Sequence, residues 1–303
     1  MSTKTRVSLL FVTVCFIWGT TWLAMELAVA TIPPITATGI RFAVAAPLIL
    51  LLARLKGVTI WFPKNKSLEF FLISLFYFAI PFTLMIFGEQ YISSGLASII
   101  FANMPVVVLI FSVLLQRHKV AMHQLAGLVI ALGSLVTIIG NEMSVNSNGS
   151  LMGVIALVVA VLMHALIYTS VQTRCEGIHV LTYNALPCLM AAVFLMITGY
   201  FMETPDINSF SALSLSAVIY LGSVAGIGGI MAYFQLNKLA SPFQASICFL
   251  IFPVIALCLD SLLNGTMLSH ESLFLTLFLM LGVFLTKLPE KTFRKNKILF
   301  KRS

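Results

Sequence analysis

The chain has 303 residues, of which 60% are hydrophobic and only 9% are charged, and its mean hydropathy is +1.05. Soluble domains are roughly 45–50% apolar and about 25% charged, so this sequence has too few charged residues to cover a surface exposed to water. The formal net charge of +8 would suit a protein that binds nucleic acid, but the positions of the basic residues, given below, argue against that class.

Hydrophobic segments long enough to cross a membrane follow one another along the chain. A transmembrane helix needs about 20 mainly apolar residues. The first segment, from Val7, exceeds the apolar core of a signal peptide, which is about 7–15 residues, so we assign it as a membrane helix. The sequence predicts an all-α integral membrane protein with ten transmembrane helices. They lie near residues 7–29, 35–54, 69–87, 95–115, 122–139, 151–171, 179–201, 212–235, 243–263 and 272–287.

The basic residues support this number of helices and orient them. With the N-terminus in the cytoplasm, every Lys and Arg except Arg41 lies in a cytoplasmic segment or at the cytoplasmic end of a helix. Short cytoplasmic loops collect Lys and Arg because these residues resist translocation. We therefore predict a multi-pass inner-membrane protein with both termini in the cytoplasm and a basic cytoplasmic tail, residues 289–303, that faces anionic lipid rather than nucleic acid. The opposite loops carry Glu89, Glu142, Glu203, Asp206 and Glu271.

An internal repeat divides the predicted helices into two sets of five. Residues 93–115 align with residues 241–263 at an offset of 148, and the alignment matches Pro105 with Pro253. Each proline is predicted to kink its helix because it lacks a backbone N–H. Since five is an odd number, the second repeat must be inverted in the membrane, which is a recurring transporter architecture. We predict one membrane domain, 1–303, with repeats over 7–140 and 151–288.

The sequence carries no motif that indicates a metal ion, a cofactor or an enzyme reaction. The glycine-rich stretch 222–229 is not followed by the Gly-Lys-Ser/Thr of a phosphate loop. His270-Glu271 lacks the second His of a zinc motif, because position 274 is Phe. The cysteines form neither a disulfide framework nor a Cys-x-x-Cys pair; they are Cys15, Cys175, Cys188, Cys248 and Cys258.

Several motifs resemble EamA-type members of the drug/metabolite transporter superfamily. Residues 89–115 and 123–140 resemble that family's fourth and fifth helices, and its first two helices are matched by Trp18-Gly19, Pro33-Pro34 and Arg41-Phe42. The sequence departs from the family after helices four and nine, where a Glu is often present. The resemblance implies two inverted five-helix repeats, alternating access and export of metabolites, amino acids or toxic compounds from bacteria.

Trp18, Trp22 and Glu26 are spaced at i, i+4 and i+8, which places them on one face of the first helix. Shifted by 146 residues, the same face of the sixth helix carries His164, Tyr168 and Gln172. We expect both faces to line a substrate cavity between the repeats. The alternative is that the aromatic residues pack within the bundle or anchor the helices at the membrane interface.

Glu26 and Arg41 lie at the same predicted depth on adjacent helices, so an ion pair between them is expected. The pair would clamp the first two helices, bind a ligand or act as a gate; independent proton coupling by Glu26 is a further alternative. Asp260, near the end of the ninth helix, is a second proton-coupling candidate or a residue exposed at the membrane boundary. Asn103 precedes Pro105 and would bond either the carbonyls freed by the kink or a substrate.

These features predict a secondary transporter that works without ATP and exports a small amphipathic metabolite, amino acid or toxic compound. Its expected partners are a small-molecule substrate, the lipid bilayer and, in the coupled case, protons. Uptake or exchange of a metabolite or a nucleotide-linked compound is the alternative. A nucleotide-linked compound would need a cavity with more Lys and Arg than Arg41 alone supplies. A membrane-embedded enzyme or scaffold is a lower alternative, because neither explains an inverted repeat.

Overall fold

A computed structural model describes residues 3–117, 120–145, 150–172, 174–240 and 242–288. This part of the chain is helical without strands, and ten of its helical spans are long and apolar enough to cross a membrane. The predicted all-α architecture with ten transmembrane helices is confirmed. The predicted basic tail lies outside the described residues. The spans are α1 (Thr3–Val29), α2 (Pro34–Leu55), α3 (Lys64–Gly88), α4 (Ser94–Gln116), α5 (Met122–Met143), α6 (Ser150–Val171), α7 (Val180–Glu203), α8 (Ala212–Leu239), α9 (Gln244–Asn264) and α10 (His270–Lys287).

Serine side chains cap three of the helices that begin at one end of the bundle. The hydroxyl of Ser93 accepts a hydrogen bond from the backbone of α4, that of Ser211 from α8 and that of Ser269 from α10. The first backbone N–H groups of a helix have no partner within the helix. A side-chain acceptor at this position therefore satisfies a donor close to the apolar layer of the membrane, where water is scarce.

Hydrogen bonds between connections show which helix ends lie together. The Ser211 amide donates to Thr31 at 3.0 Å, which joins the α7–α8 connection to the α1–α2 connection. Asp260 at the end of α9 accepts a 2.9 Å bond from the Gly95 amide of α4. We name this the acidic end, because its connections carry Glu and Asp and no Lys or Arg. The opposite, basic end includes a 3.9 Å ion pair between Glu69 and Arg174.

The principal helix contacts join the first five spans to the last five. Helix α1 packs on α8 and α9, and α6 packs on α3 and α4 in the same way, while α2 packs on α7 and α5 on α10. The contacts are therefore symmetric: replacing each helix of one half by the helix at the same place in the other half gives the same set of contacts. Helices α5 and α10 approach each other closely, since a Cβ added at Gly282 would lie 2.5 Å from the backbone nitrogen of Ala131.

Four spans are interrupted, two among the first five and two among the last five. Helix α3 contains a π-helical segment, Ile73–Ala79, and α8 contains one at Leu221–Gly228. The two segments begin 148 residues apart, which is the offset of the sequence repeat. Such wide turns are rare and are frequent at functional sites, and nothing in the hydrophobic pattern predicted them.

The interruption in α4 falls at Asn103, two residues before Pro105, as expected for a proline kink. In α9 the break lies at Ile247, whereas Pro253 lies inside the continuous helix Cys248–Asn264. The break in α9 therefore lies six residues before Pro253, and a kink at Pro253 itself stays a prediction. A single proline removes only one backbone hydrogen bond, and a membrane helix continues through it when neighbouring groups satisfy the freed carbonyl.

Glu203 connects the end of α7 to the start of α2. Its carboxylate accepts hydrogen bonds of 2.8 Å from the amides of Ile35 and Thr36 and from the Thr36 hydroxyl. Replacing Glu203 with Ala removes this cap, which costs about 0.5–2 kcal/mol, and is expected to lower the melting temperature in detergent by about 2–4 °C. Glu271→Ala, which removes an exposed acid at the same end, is the control. An equal shift in both variants would contradict the capping role.

Candidate functional site

The face of α1 that carries Trp18, Trp22 and Glu26 contacts α9. Both indole rings lie 6.3 Å from the ring of Phe252, measured between centroids. One turn further along α1, the Glu26 carboxylate accepts a 2.9 Å hydrogen bond from the side-chain amide of Asn264. The three residues therefore share one face that points to the opposite half of the bundle.

His164 is buried on the corresponding face of α6, which contacts α3 and α4. Its ring centroid lies 5.0 Å from those of Tyr77 and Phe82 and 5.8 Å from that of Phe101. Its Nδ1 is 3.1 Å from the Ala160 carbonyl oxygen. A carbonyl only accepts hydrogen bonds, so Nδ1 carries the proton in this arrangement. The imidazole is held in place within an aromatic cage.

Arg41 is buried, with 6% of its surface exposed, and its guanidinium lies over aromatic rings. Its Cζ is 4.6 Å from the centroid of the Phe82 ring, and its Nη1 is 3.7 Å from the sulfur of Met25. In the described part of the chain, no carboxylate lies within 4 Å of it. The predicted ion pair with Glu26 is absent. The depths agree, but Met25, and not its neighbour Glu26, projects from α1 toward Arg41.

These groups form one connected arrangement, which we name the central site: Trp22, Arg41, Tyr77, Phe82, Phe101 and His164. The ring of Trp22 lies 5.4 Å from that of Phe101, which joins the α1 face to the His164 cage. Four helices of the first half and α6 of the second contribute. A buried cation beside the faces of several aromatic rings is suited to a solute that has both an anionic group and an apolar part.

Three contributors to the central site, Tyr77, Phe82 and Phe101, were not predicted from the sequence. Phe is the commonest aromatic residue of this chain, with 24 copies, so Phe82 and Phe101 do not stand out by residue type. Tyr77 and Phe101 form no regular i, i+4 series with other polar or aromatic residues that would have marked them. Tyr168, which was predicted beside His164, has 40% of its surface exposed. The structure therefore does not bury it with the other rings.

Asn103 lies at the break of α4 and is 1% exposed. Its side-chain nitrogen donates a 3.0 Å bond to the Ile99 carbonyl, while its buried side-chain oxygen has no hydrogen-bond donor in the described part of the chain. Both readings from the sequence therefore have support, since the nitrogen stabilises the kink and the oxygen is available to a ligand. A solute with an N–H group near the break would supply the missing donor.

A cluster of polar groups at the acidic end contains both predicted proton-coupling residues. Asp260 accepts hydrogen bonds from the Gly95 amide at 2.9 Å, the Asn264 side chain at 3.0 Å and the Thr266 hydroxyl. Since Asn264 also donates to Glu26, it bridges the two carboxylates. Asp260 is 2% exposed, so the alternative that it is exposed at the membrane boundary is wrong.

Comparisons with known proteins identify the family. The model of the EamA-like transporter family matches residues 5–140 and again residues 151–288. The chain is 49% identical to "Protein PagO" of Salmonella typhimurium over 93% of both chains. It is 30% identical to "Uncharacterized inner membrane transporter YedA" of Escherichia coli K12 over 84% of this chain and 81% of that one.

A solved crystal structure has the same fold. It aligns with a TM-score of 0.66 over 93% of this chain and 96% of the other, at 14% sequence identity. Such a likeness concerns the fold alone, whereas the family match covers nearly all of the transmembrane region. With its ten membrane-spanning helices, the chain therefore belongs to the EamA-like transporter family and is a multi-pass transporter of the inner membrane.

Proposed function

We propose that the protein is a secondary transporter that exports a small amphipathic metabolite, amino acid or toxic compound by alternating access. The central site carries this proposal. Arg41 is a buried cation without a carboxylate partner within the described residues, and ionisable groups inside a membrane normally mark a ligand path. A solute that places a carboxylate on Arg41 and an apolar group on the rings satisfies both parts of the site.

The arrangement of the helices supports alternating access. The central site receives side chains from both halves, and the interrupted spans α3 and α4 have counterparts in α8 and α9. Discontinuous helices around a site between two repeats are a recurring transporter feature. We propose that residues 7–140 and 151–288 are inverted repeats that exchange conformations around the central site and so open it to each side in turn.

The site supports transport of a small metabolite over a nucleotide-linked substrate, an embedded enzyme or a scaffold. A nucleotide-linked substrate carries several phosphate charges and would need more than the single Arg41 that the described central site contains. An embedded enzyme or a scaffold would leave the matching interruptions of the two halves without a purpose. We place the basic end in the cytoplasm, as the distribution of Lys and Arg predicts.

A ligand screen followed by counterflow tests the proposed function. Purified protein is heated with amino acids, aromatic carboxylates, nucleobases and cationic drugs, because a solute that binds the folded state raises the melting temperature. Each stabilising solute is then loaded into liposomes and exchanged for a labelled external copy. We expect saturable exchange of at least one amphipathic carboxylate that protein-free liposomes do not show.

Solute accumulation in membrane vesicles of known orientation distinguishes export from uptake. Inverted vesicles should accumulate the solute when export is the physiological direction, while right-side-out vesicles should accumulate it when the protein is an uptake permease. Saturable flux of none of the four solute classes would contradict the proposed function.

A further inference from the structure

A third carboxyl group, that of Glu89, lies beside the cluster at the acidic end. Glu89 follows the last residue of α3 and is 5% exposed. Both of its carboxylate oxygens are buried, and no hydrogen-bond donor reaches them within the described residues. The carboxyl group lies within electrostatic range of Glu26 and Asp260. The sequence placed Glu89 in an exposed loop, so its burial is unexpected.

Among the residues that the structure describes, the other elements around Glu89 bring no positive side chain to it. Helix α1 contributes Glu26 and α9 contributes Asp260, while the first residues of α4 and α6 carry no ionisable side chain. In the adjoining connection, the Tyr91 ring packs on Phe87. Arg41 contacts Phe82, which precedes Glu89 by seven residues, or roughly 10 Å along a helix.

An ionised carboxylate in this position would be strongly unfavourable. Neither a cation nor a hydrogen-bond donor compensates for the loss of its hydration, and two further carboxyl groups are near. Burial raises the pKa of the Glu89 carboxyl well above its ordinary value, and the negative charges of Glu26 and Asp260 raise it further. The neutral acid is therefore the form compatible with the closed arrangement of the acidic end.

A metal ion is a poorer occupant of this cluster than a proton. Hard cations such as Ca²⁺ require about six to eight oxygen ligands around one point. Within the described ranges, no three His, Cys, Asp or Glu side chains converge in this way. A proton needs only one carboxyl oxygen, and Glu89 has two that are unengaged.

We propose that Glu89 is the proton-binding site of this transporter, occupied while the acidic end is closed and emptied when that end opens to water. On opening, the O–H bond of the Glu89 carboxyl breaks, the proton passes to water and the carboxylate remains. Glu26, which is only half-buried and is hydrogen-bonded to the exposed Asn264, lines the exit path. The coupling of this proton to solute movement rests on the proposed function, but the binding of the proton does not.

Infrared spectroscopy tests proton binding without any substrate. The purified protein at neutral pH should show the carbonyl stretching band of a buried protonated carboxyl group. Glu89→Gln should lose this band, whereas Glu271→Gln, the same substitution at an exposed acid of the same end, should retain it. The absence of the band from the unsubstituted protein, or its persistence in Glu89→Gln, would overturn the assignment.

The pH dependence of stability provides a second substrate-free measurement. Folded Glu89 holds its proton above the ordinary Glu pKa of about 4.3, whereas the unfolded chain releases it there. The stabilisation is therefore complete at low pH and declines as pH rises toward the pKa of the folded state. The melting temperature should fall between pH 5 and pH 8, relative to Glu89→Gln, by about 2 °C or more. Parallel curves for the two proteins would contradict the proposal.

Transport assays test the coupling. In liposomes, Glu89→Gln should exchange solute at close to the unsubstituted rate when both sides have the same pH, and should lose accumulation driven by a pH gradient. Glu271→Gln should keep both activities. Gradient-driven accumulation by Glu89→Gln equal to that of the unsubstituted protein would refute the coupling. If neither protein exchanged any solute, the proposed function would fail, while the infrared result would still decide whether Glu89 binds a proton.

Discussion

Arg41→Ala should reduce solute exchange by about 100-fold or more without a comparable loss of folded protein. Removing a buried charged contact with a ligand costs about 2–5 kcal/mol, and each 1.4 kcal/mol is about tenfold in affinity. Because Arg41 has no carboxylate partner within 4 Å in the described structure, its removal leaves no buried carboxylate without a counter-ion. The measurement is the initial counterflow rate per amount of reconstituted protein, together with the melting temperature.

Two further variants distinguish solute binding from an ion-pair clamp. Arg41→Lys keeps the charge but loses the planar group that lies over Phe82, so an intermediate rate is expected. The exchange Glu26→Arg with Arg41→Glu should stay inactive, since the two side chains do not meet. An unchanged rate in Arg41→Ala would show that the solute does not use this cation, and recovery in the double variant would restore the clamp interpretation.

The second large effect is expected at the contact between α5 and α10. A side chain at Gly282 would begin 2.5 Å from the backbone nitrogen of Ala131 and 2.7 Å from the carbonyl oxygen of Gly127. These are backbone atoms, so they move only if the helices separate. Gly282→Leu should therefore destabilise the protein by about 3 kcal/mol or more, at or above the upper end of the usual cost of overpacking. Most of the protein should then be lost as aggregate.

Gly133→Leu is the matched control. Gly133 also lies in α5, but a Cβ there would meet no atom within 4 Å. Size-exclusion chromatography in detergent and the melting temperature should show a normal protein for Gly133→Leu and a depleted one for Gly282→Leu. Similar behaviour of the two variants would show that α5 and α10 do not pack as closely as described.

Positions along the membrane normal were predictable from the sequence, whereas rotations about the helix axes were not. The spans and the depth of Arg41 follow from hydropathy and from the rise of about 1.5 Å per residue. Whether Arg41 meets Glu26 or Met25 depends on a rotation of α1 by about 100°, and the packing of α1 against α8 and α9 determines that angle. The buried position of Glu89 likewise depends on neighbours that are distant in sequence.

The aromatic residues of the central site also differ in whether the sequence could predict them. The i, i+4 spacing of Trp18 and Trp22 singled out the face of α1 that contacts α9, because a regular spacing on one helix is a local property. Phe82 and Phe101 could not be selected, since the same residue type also faces outward in this chain. Phe16, for example, has 58% of its surface exposed, and in a membrane an exposed Phe is as well solvated as a buried one.

Two carboxylates at the acidic end fasten helices of the first half of the bundle to helices of the second. Glu203 holds α2 against α7, and Glu142 accepts hydrogen bonds from the amide and hydroxyl of Ser269 at the start of α10. Each fastening joins a helix of one half to a helix of the other. The two halves therefore cannot part as whole bodies without breaking both. Under the proposed alternating access, the interrupted helices α3, α4, α8 and α9 would change shape while the contacts of α2 with α7 and of α5 with α10 persist.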